Sequence, residues 1–427
     1  VLGVGIFEIP LQFDTYFGHL EEDVSLGALG GLNISITTLA LIALYGLWIA
    51  DASLHRRRSV LRPLFGIPML LYLAINLLSV AVAAVPILSF FDLALLVQSY
   101  ALFFYIANRV QTREDLLFCV LVFAAALLTQ GLAMLFAMAL RLDDESIAFG
   151  PLLLAVDAGQ RHVGTMNSPN LAGSTLSMLW FPVATSLLVV RDKWTWRLIL
   201  ACTIAGLLAI LMTQSRGAIL TIYVGSVIIA VGLVSRGWLP KWTIAVAMLI
   251  TVTSIFPLIA LYDNRIKEGD GDSAASRGNL SLIAMDAISE RPLLGYGAGN
   301  CHLATQKFAS QSFYRGEWFY TTHNKYLLVW VETGIVGLIA FALVLGNGFG
   351  QALNVWRKRD PALSALALAF VAALAGQMLH MAVDIFNSRA QVQILWCTLG
   401  LVAAIYQISN QESFSRMYNS KRMAAMN

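Results

Sequence analysis

The sequence predicts an all-α polytopic membrane protein of about twelve transmembrane helices. Three observations carry that reading. First, 58% of the 427 residues are hydrophobic and only 12% are charged, with mean hydropathy +0.72; soluble domains carry roughly 25% charged residues. Second, the apolar runs approach the ~20 residues that a bilayer-spanning helix needs. Third, the ~10-residue alternating segments of a membrane barrel are missing. In lipid every backbone N–H and C=O must be paired internally, so only helices remain.

In chain order the spans read as 1–12, 32–50, 62–86, 87–107, 115–140, 169–190, 197–214, 217–234, 242–262, 324–347, 362–384 and 391–408. The first is short, and the chain opens on Val1 rather than Met, so preceding residues are expected. An even count puts both termini on one side. The basic residues assign that side. Seventeen of the 28 lysines and arginines, such as Arg56–Arg58, Arg109, Arg113, Arg191, Arg236 and Arg357–Arg359, crowd the short loops of one face. By the positive-inside rule that face is cytoplasmic. The other eleven face outward; eight are arginines, at 141, 161, 216, 265, 277, 291, 315 and 389.

The organisation is one integral domain, 1–427, with two outward loops, 141–168 and 263–323. Within the larger loop, Leu280, Ile283, Ala284, Ala287 and Ile288 recur at helical spacing over 276–292, up to Pro292. Arg277 lies near that apolar face. If the face rests on the membrane, Arg277 points at lipid headgroups or a lipid diphosphate. GYGAGN (295–300) reads as a turn; no strand precedes its glycines, which favours a turn over a nucleotide-binding loop. Cys119, Cys202 and Cys397 fall in spans and Cys301 stands alone in the outer loop, which is no disulfide framework.

Chemistry should gather on the outer face. Residues 263–322 hold six positive and seven negative side chains, net −1, so this is no generic polybasic patch. Individual arginines must serve individual partners, and a guanidinium fork suits phosphate oxygens. Arg216, in TQSRGA, is the sharpest case: it opens a helix, where free N–H groups also favour anions. Arg161, Arg265 and Arg277 are further candidates, each weighed against an arginine that merely snorkels to the headgroups. Arg291 is explained by a helix dipole, and Arg141 and Arg315 as surface residues.

His323 has the side chain that titrates near neutral pH. It sits where the loop meets a hydrophobic helix, in TTHNKYLLVWVETGIVG (321–337), where a preceding threonine could cap the helix. Its alternatives are a proton acceptor or an ordinary headgroup-level histidine. Glu332, nine residues further on, is costly in a span and needs an interior partner; it would hold the site together or relay a proton. Asp384 and Arg389 bracket another outer helix end, and Asp92 is a weaker candidate. The acidic runs Asp143–Glu145 and Asp270–Asp272 are better read as ordinary loop acids than as metal ligands.

RHVGTMNSPNLAG (161–173), TQSRGA (213–218), RPLLGYGAGN (291–300) and THNKYLLVWVETGIVG (322–337) resemble, in this order and on outward loops, the O-antigen ligase/polymerase superfamily. Asp384 and Asn324 fit as supporting residues. The resemblance implies a GT-C-type membrane glycosyltransferase of the bacterial inner membrane, with no metal or other cofactor. Its donor would be an undecaprenyl diphosphate-linked glycan; its acceptor, for the ligases, a sugar of lipid A–core. It implies His323 as the catalytic histidine and Arg161, Arg216, Arg265 and Arg277 as donor-diphosphate ligands. Which of Arg265 and Arg277 is essential stays open. Membrane lipids are partners; nucleic acid is not. Close relatives polymerise O-antigen or glycosylate proteins. A lipid-linked glycan transporter is the reading from another class; such a protein would place its ionisable residues near the bilayer midplane.

Overall fold

The computed structural model describes all residues except 19, 26, 55–65, 143–144, 150–151, 158–160, 244–270, 310–319, 359 and 425–427. Side chains are also left aside at 24–25, 149, 271–275 and beyond 412. Helices dominate: α1 (Leu2–Glu8), α2 (Glu21–Ser25), α3 (Ile36–Leu54), α4 (Gly66–Ser79), α5 (Pro86–Arg109), α6 (Arg113–Ala139), α7 (Pro169–Ser186), α8 (Lys193–Met212) and α9 (Arg216–Ser235). Then follow α10 (Gly271–Glu290), α11 (Cys301–Ala309), α12 (Lys325–Trp356), α13 (Pro361–His380) and α14 (Arg389–Ala424).

Eight described helices are long and apolar enough to cross a membrane: α3, α5, α6, α8, α9, α12, α13 and the Arg389–Glu412 part of α14. The difference from twelve has local causes. The 1–12 and 62–86 spans contain only the short apolar helices Leu2–Leu11 and Ile67–Val82. The 169–190 span is α7, whose apolar character is diluted by buried Ser174, Thr175, Ser177, Thr185 and Ser186 and which carries Pro182 inside. The 242–262 span lies outside the described residues.

Side chains set the helix starts. Thr112 and Asp115 form a reciprocal capping box ahead of α6. Ser168, Asp192, Ser215 and Asp360 each accept a backbone N–H of the first turn of α7, α8, α9 and α13. At the end of the bundle expected to be cytoplasmic, Arg113 joins Asp360 at 2.6 Å and Glu412, tying α6, α13 and α14. Arg236 donates to the Lys358 carbonyl at 2.9 Å and lies over the Trp356 ring.

The centre is built from α13 and α14. Burial reaches 78% and 83% of their most apolar windows, against 28% for α3, α8 and α9, whose outer faces are left for lipid. The α13 helix packs on α7, α9 and α12, and α14 packs on α5. Small residues permit the close approach: a Cβ on Gly232 would reach Leu368, and one on Gly376 would reach Thr221.

The fold is not purely α. Strands β1 (Asp14–Phe17) and β2 (Leu32–Ser35) pair antiparallel, and β3 (Ser146–Phe149), β4 (Leu152–Asp157) and β5 (Arg161–Gly164) form a three-stranded meander. Both sheets sit at the end of the bundle that carries the 291–324 segment. Strands of four to six residues leave little period-2 signal in a sequence read for spans.

Candidate active site at the start of helix α12

Helix α12 begins at a capped, pinned turn. The cap is Asn324, not a threonine: its Oδ1 accepts from the Tyr326 and Leu327 N–H groups at 3.0 and 3.2 Å. Asparagine has the shorter reach to the N2 and N3 amides, and Thr321 and Thr322 are instead buried in the turn. The Lys325 N–H donates to the Met381 carbonyl at 2.8 Å, fixing the start of α12 to the end of α13. His323 stands at this junction. The Tyr320 ring stacks on its imidazole, centroids 5.4 Å apart. Its Nδ1 is buried with no hydrogen-bond partner, and so is the Thr322 hydroxyl.

Burial pushes the His323 pKa down, and the Arg277 guanidinium pushes the same way. Asp384 and the Thr321 backbone oppose them, and the balance falls at about 4. The imidazole is therefore neutral at pH 7 and able to accept a proton.

Asp384 lies just beyond α13, and its Oδ2 accepts from Gln391 at 2.6 Å. Gln391 also donates to Ser174 of α7 at 2.7 Å. His380, the last residue of α13, is within electrostatic reach of Asp384 and Arg277 and has an unpartnered, buried Nδ1. A Cβ on Gly217 would stand 2.6 Å from the His380 ring, so the first turn of α9 is pressed against it. Arg216 opens that turn. The turn before it receives Arg161, whose Nε donates to the Thr213 carbonyl at 3.3 Å and whose Nη2 approaches Asn170 Oδ1 at 3.4 Å. Ser215 donates to the same Asn170 oxygen at 3.0 Å. Asp157 stands 3.8 Å from Arg161.

Arg277, on α10, reaches this group from above. The apolar face of α10 rests on protein and not on the membrane. Ala284, Ala287 and Ile288 are buried against Cys301, Ala304, Leu328 and Val331 of α11 and α12. Arg277 is therefore held toward His323 by packing. Arg291 lies 4.6 Å over the Tyr296 ring, a cation–π contact in addition to its helix-end position. Arg265 lies outside the described residues, as do Arg315, Asp143, Asp144 and Asp270.

Arg389 is held in an ion-pair cluster. It is fully buried, with Nη2 on Glu8 at 2.7 Å, Nε on Asp14 at 2.8 Å and Nη1 on Gln393 at 3.0 Å. Its guanidinium pairs with carboxylates from α1 and β1, five residues along the chain from Asp384.

Glu332 also lies apart from His323, on the opposite flank of α12. It lines a cavity of about 60 Å³ together with Asp92, Lys325, Tyr72 and Thr321. Two residues later Gly334 breaks the helix, with φ of +69°. The 291–300 loop fills the break: Tyr296 and Gly297 donate to the Val331 and Glu332 carbonyls at 2.9 and 2.8 Å, and Ile335 donates to the Pro292 carbonyl at 2.8 Å. The glycine run is thus a turn, and one that repairs the backbone pairing of a broken helix.

Sequence reasoning passed over three residues at this end of the molecule. His380 stands one helical turn before Asp384, a spacing visible in HMAVD. Asn170 lies inside RHVGTMNSPNLAG. Lys325 is an ionisable residue beside His323. Among the described residues no group of three or more His, Cys, Asp or Glu side chains is placed to hold a metal ion.

Residues 198–342 match the family described as O-antigen ligase. The match takes in Arg216, Arg277, His323, Asn324 and Glu332, and supports the O-antigen ligase superfamily for this chain. No curated protein matches it.

Proposed function

We propose that this multi-pass protein of the O-antigen ligase superfamily is a GT-C-type ligase. It transfers a glycan from undecaprenyl diphosphate to a sugar of lipid A–core, at the periplasmic face of the bacterial inner membrane, with both termini cytoplasmic. The observation that carries the reading is the meeting of a neutral, half-buried His323 with Arg277, Asp384, His380 and the Arg161–Arg216 turn at one end of the bundle.

The chemistry follows from the charges. Arg216, Arg161 and Arg277 bind the diphosphate and neutralise the charge that grows on it as the glycosidic C–O bond breaks. Diphosphate leaves without a general acid. The acceptor hydroxyl attacks the anomeric carbon from the opposite face, and its proton passes to His323. One displacement inverts the anomeric centre. Arg265 is a further candidate for the same clamp. Asn324 and Asp384 support His323, one by holding the helix start and the other by opposing the loss of its basicity.

The test uses purified protein in lipid, an undecaprenyl diphosphate-linked glycan, lipid A–core and EDTA, followed by gel mobility. A shifted lipid A–core band that disappears in His323→Ala, while carrier binding persists, fits the ligase. Longer chains on the carrier would instead make this a polymerase. Equal loss of carrier binding in His323→Ala and Arg216→Ala would refute their separate roles.

A further inference from the structure

We propose that the cavity on the α4–α5 flank of α12 is the acceptor subsite, taking the hydroxyl-bearing edge of one sugar ring; this rests on the transferase reading above. Asp92 of α5 and Lys325 and Glu332 of α12 face it together, with Asn387 and Thr321 beside them. All three charged side chains are half-buried, with their remaining surface turned to the cavity. Polar groups withdrawn this far from water need polar partners; these three lie within electrostatic reach of one another, and the Cys301 and Gly299 backbone stands beside Glu332. Two carboxyl groups and one amine offer acceptors and donors in the mixture that sugar hydroxyls satisfy. Leu95 and Leu328 supply apolar wall for a ring face.

The lining selects among sugars. It joins two carboxyl groups to one amine and holds no guanidinium, so hydroxyls, which both donate and accept, suit it better than a phosphorylated ring. Size gives a second limit. At roughly 10–15 Å³ of such volume per water, the cavity holds about four to six waters. That is one edge of a ring, not a chain.

Position gives the third argument. Lys325 and Glu332 are seven residues apart, about two turns, and so share one flank of α12. Arg277 and Asp384 both act on His323 and on His380 of α13, and the Arg216 turn is pressed against His380. Thr321 lines the cavity two residues before His323. His323 therefore stands between the two groups. An inverting displacement requires this order: leaving group on one side of the anomeric carbon, nucleophile on the other, base beside the nucleophile. The acceptor oxygen forms the new C–O bond, its proton goes to His323, and the old C–O pair departs on the diphosphate oxygen.

The test measures KM for each substrate with the full-length chain in lipid nanodiscs, using lipid A–core and an undecaprenyl diphosphate-linked glycan. Asp92→Asn removes one charged acceptor. Ala28→Leu narrows the cavity and leaves every charge in place. Each should raise the acceptor KM by at least about tenfold, the loss expected for a charge-assisted hydrogen bond, with donor KM unchanged. If Asp92→Asn does not fold, Ala28→Leu decides. Unchanged acceptor KM in the variants, or donor and acceptor KM rising together with a lower melting temperature, overturns the subsite. Absence of any product from the wild-type protein refutes the transferase reading, and the subsite falls with it.

Discussion

Lowering the pH should reveal two different midpoints for one histidine. In the free protein His323 titrates at about 4 instead of 6.5. The difference is about 2.5 pKa units, or roughly 3 kcal/mol of preference for the neutral ring. A base must be neutral to accept a proton, so activity is full above the folded pKa and lost as pH falls through about 4. At pH 5 about 90% of the rings are then neutral, against about 3% for an unperturbed histidine. Stability follows the same sign. The unfolded chain takes up its proton near 6.5 and the folded chain near 4, so stability falls as pH drops between those values. Donor binding changes the balance. One negative charge about 6 Å from the ring, at an effective dielectric of about 20, is worth roughly 3 kcal/mol, about two pKa units upward. The profile of kcat/KM for the donor reports the free enzyme, and that of kcat the loaded one. Initial rates of glycan transfer from about pH 3 to 8 should therefore give a kcat midpoint at least one unit above the kcat/KM midpoint. A kcat/KM midpoint near 6.5 refutes the account of His323 as buried beside Arg277. Coincident midpoints refute diphosphate binding at that arginine.

Arg277→Gln removes a charge that depresses His323, so its kcat/KM midpoint should rise above about 4 while donor affinity falls; a midpoint that stays put would separate the two residues. Arg389→Met should cost about 3–5 kcal/mol, because Glu8 and Asp14 are left buried without their cation. The thermal midpoint should drop, with donor affinity per folded molecule retained; loss of affinity in stable protein would return Arg389 to the site. Gly334→Ala puts a Cβ 2.0 Å from the Leu293 carbonyl oxygen at a positive φ. The melting temperature should fall, and a gain in stability would show that the helix runs straight.

Eight of the twelve spans were legible because hydropathy is a property of the chain read along its length. The same holds for the face Leu280, Ile283, Ala284, Ala287 and Ile288, whose spacing announced α10. What covers that face was not legible: periodicity says that an apolar stripe needs a partner, and both lipid and α12 satisfy it. Asp384 and Arg389 looked alike for a related reason. They are two ionisable residues at one helix end, and what separates them is Glu8, 381 residues away. Thr322 and Asn324 are both good capping residues, and the register of the helix start chose between them. His380 was hidden by its apolar helix, where the neighbours that matter, Gly217 and Asp384, come from the folded arrangement. The cavity flank was the least visible, since Asp92, Lys325 and Glu332 belong to two separate helices.

The Arg389 cluster also bears on how the chain is made. Glu8 and Asp14 leave the ribosome some 380 residues ahead of the cation that compensates them. At roughly 5–20 residues per second that delay is on the order of 20–80 s. During it the Leu2–Leu11 segment has no buried counter-charge and must wait in contact with water. Seating it is therefore among the last events of biosynthesis, set by arrival of the final helix. A nascent chain halted before Arg389 should keep this segment open to a water-soluble thiol reagent at an introduced cysteine, and a completed chain should close it.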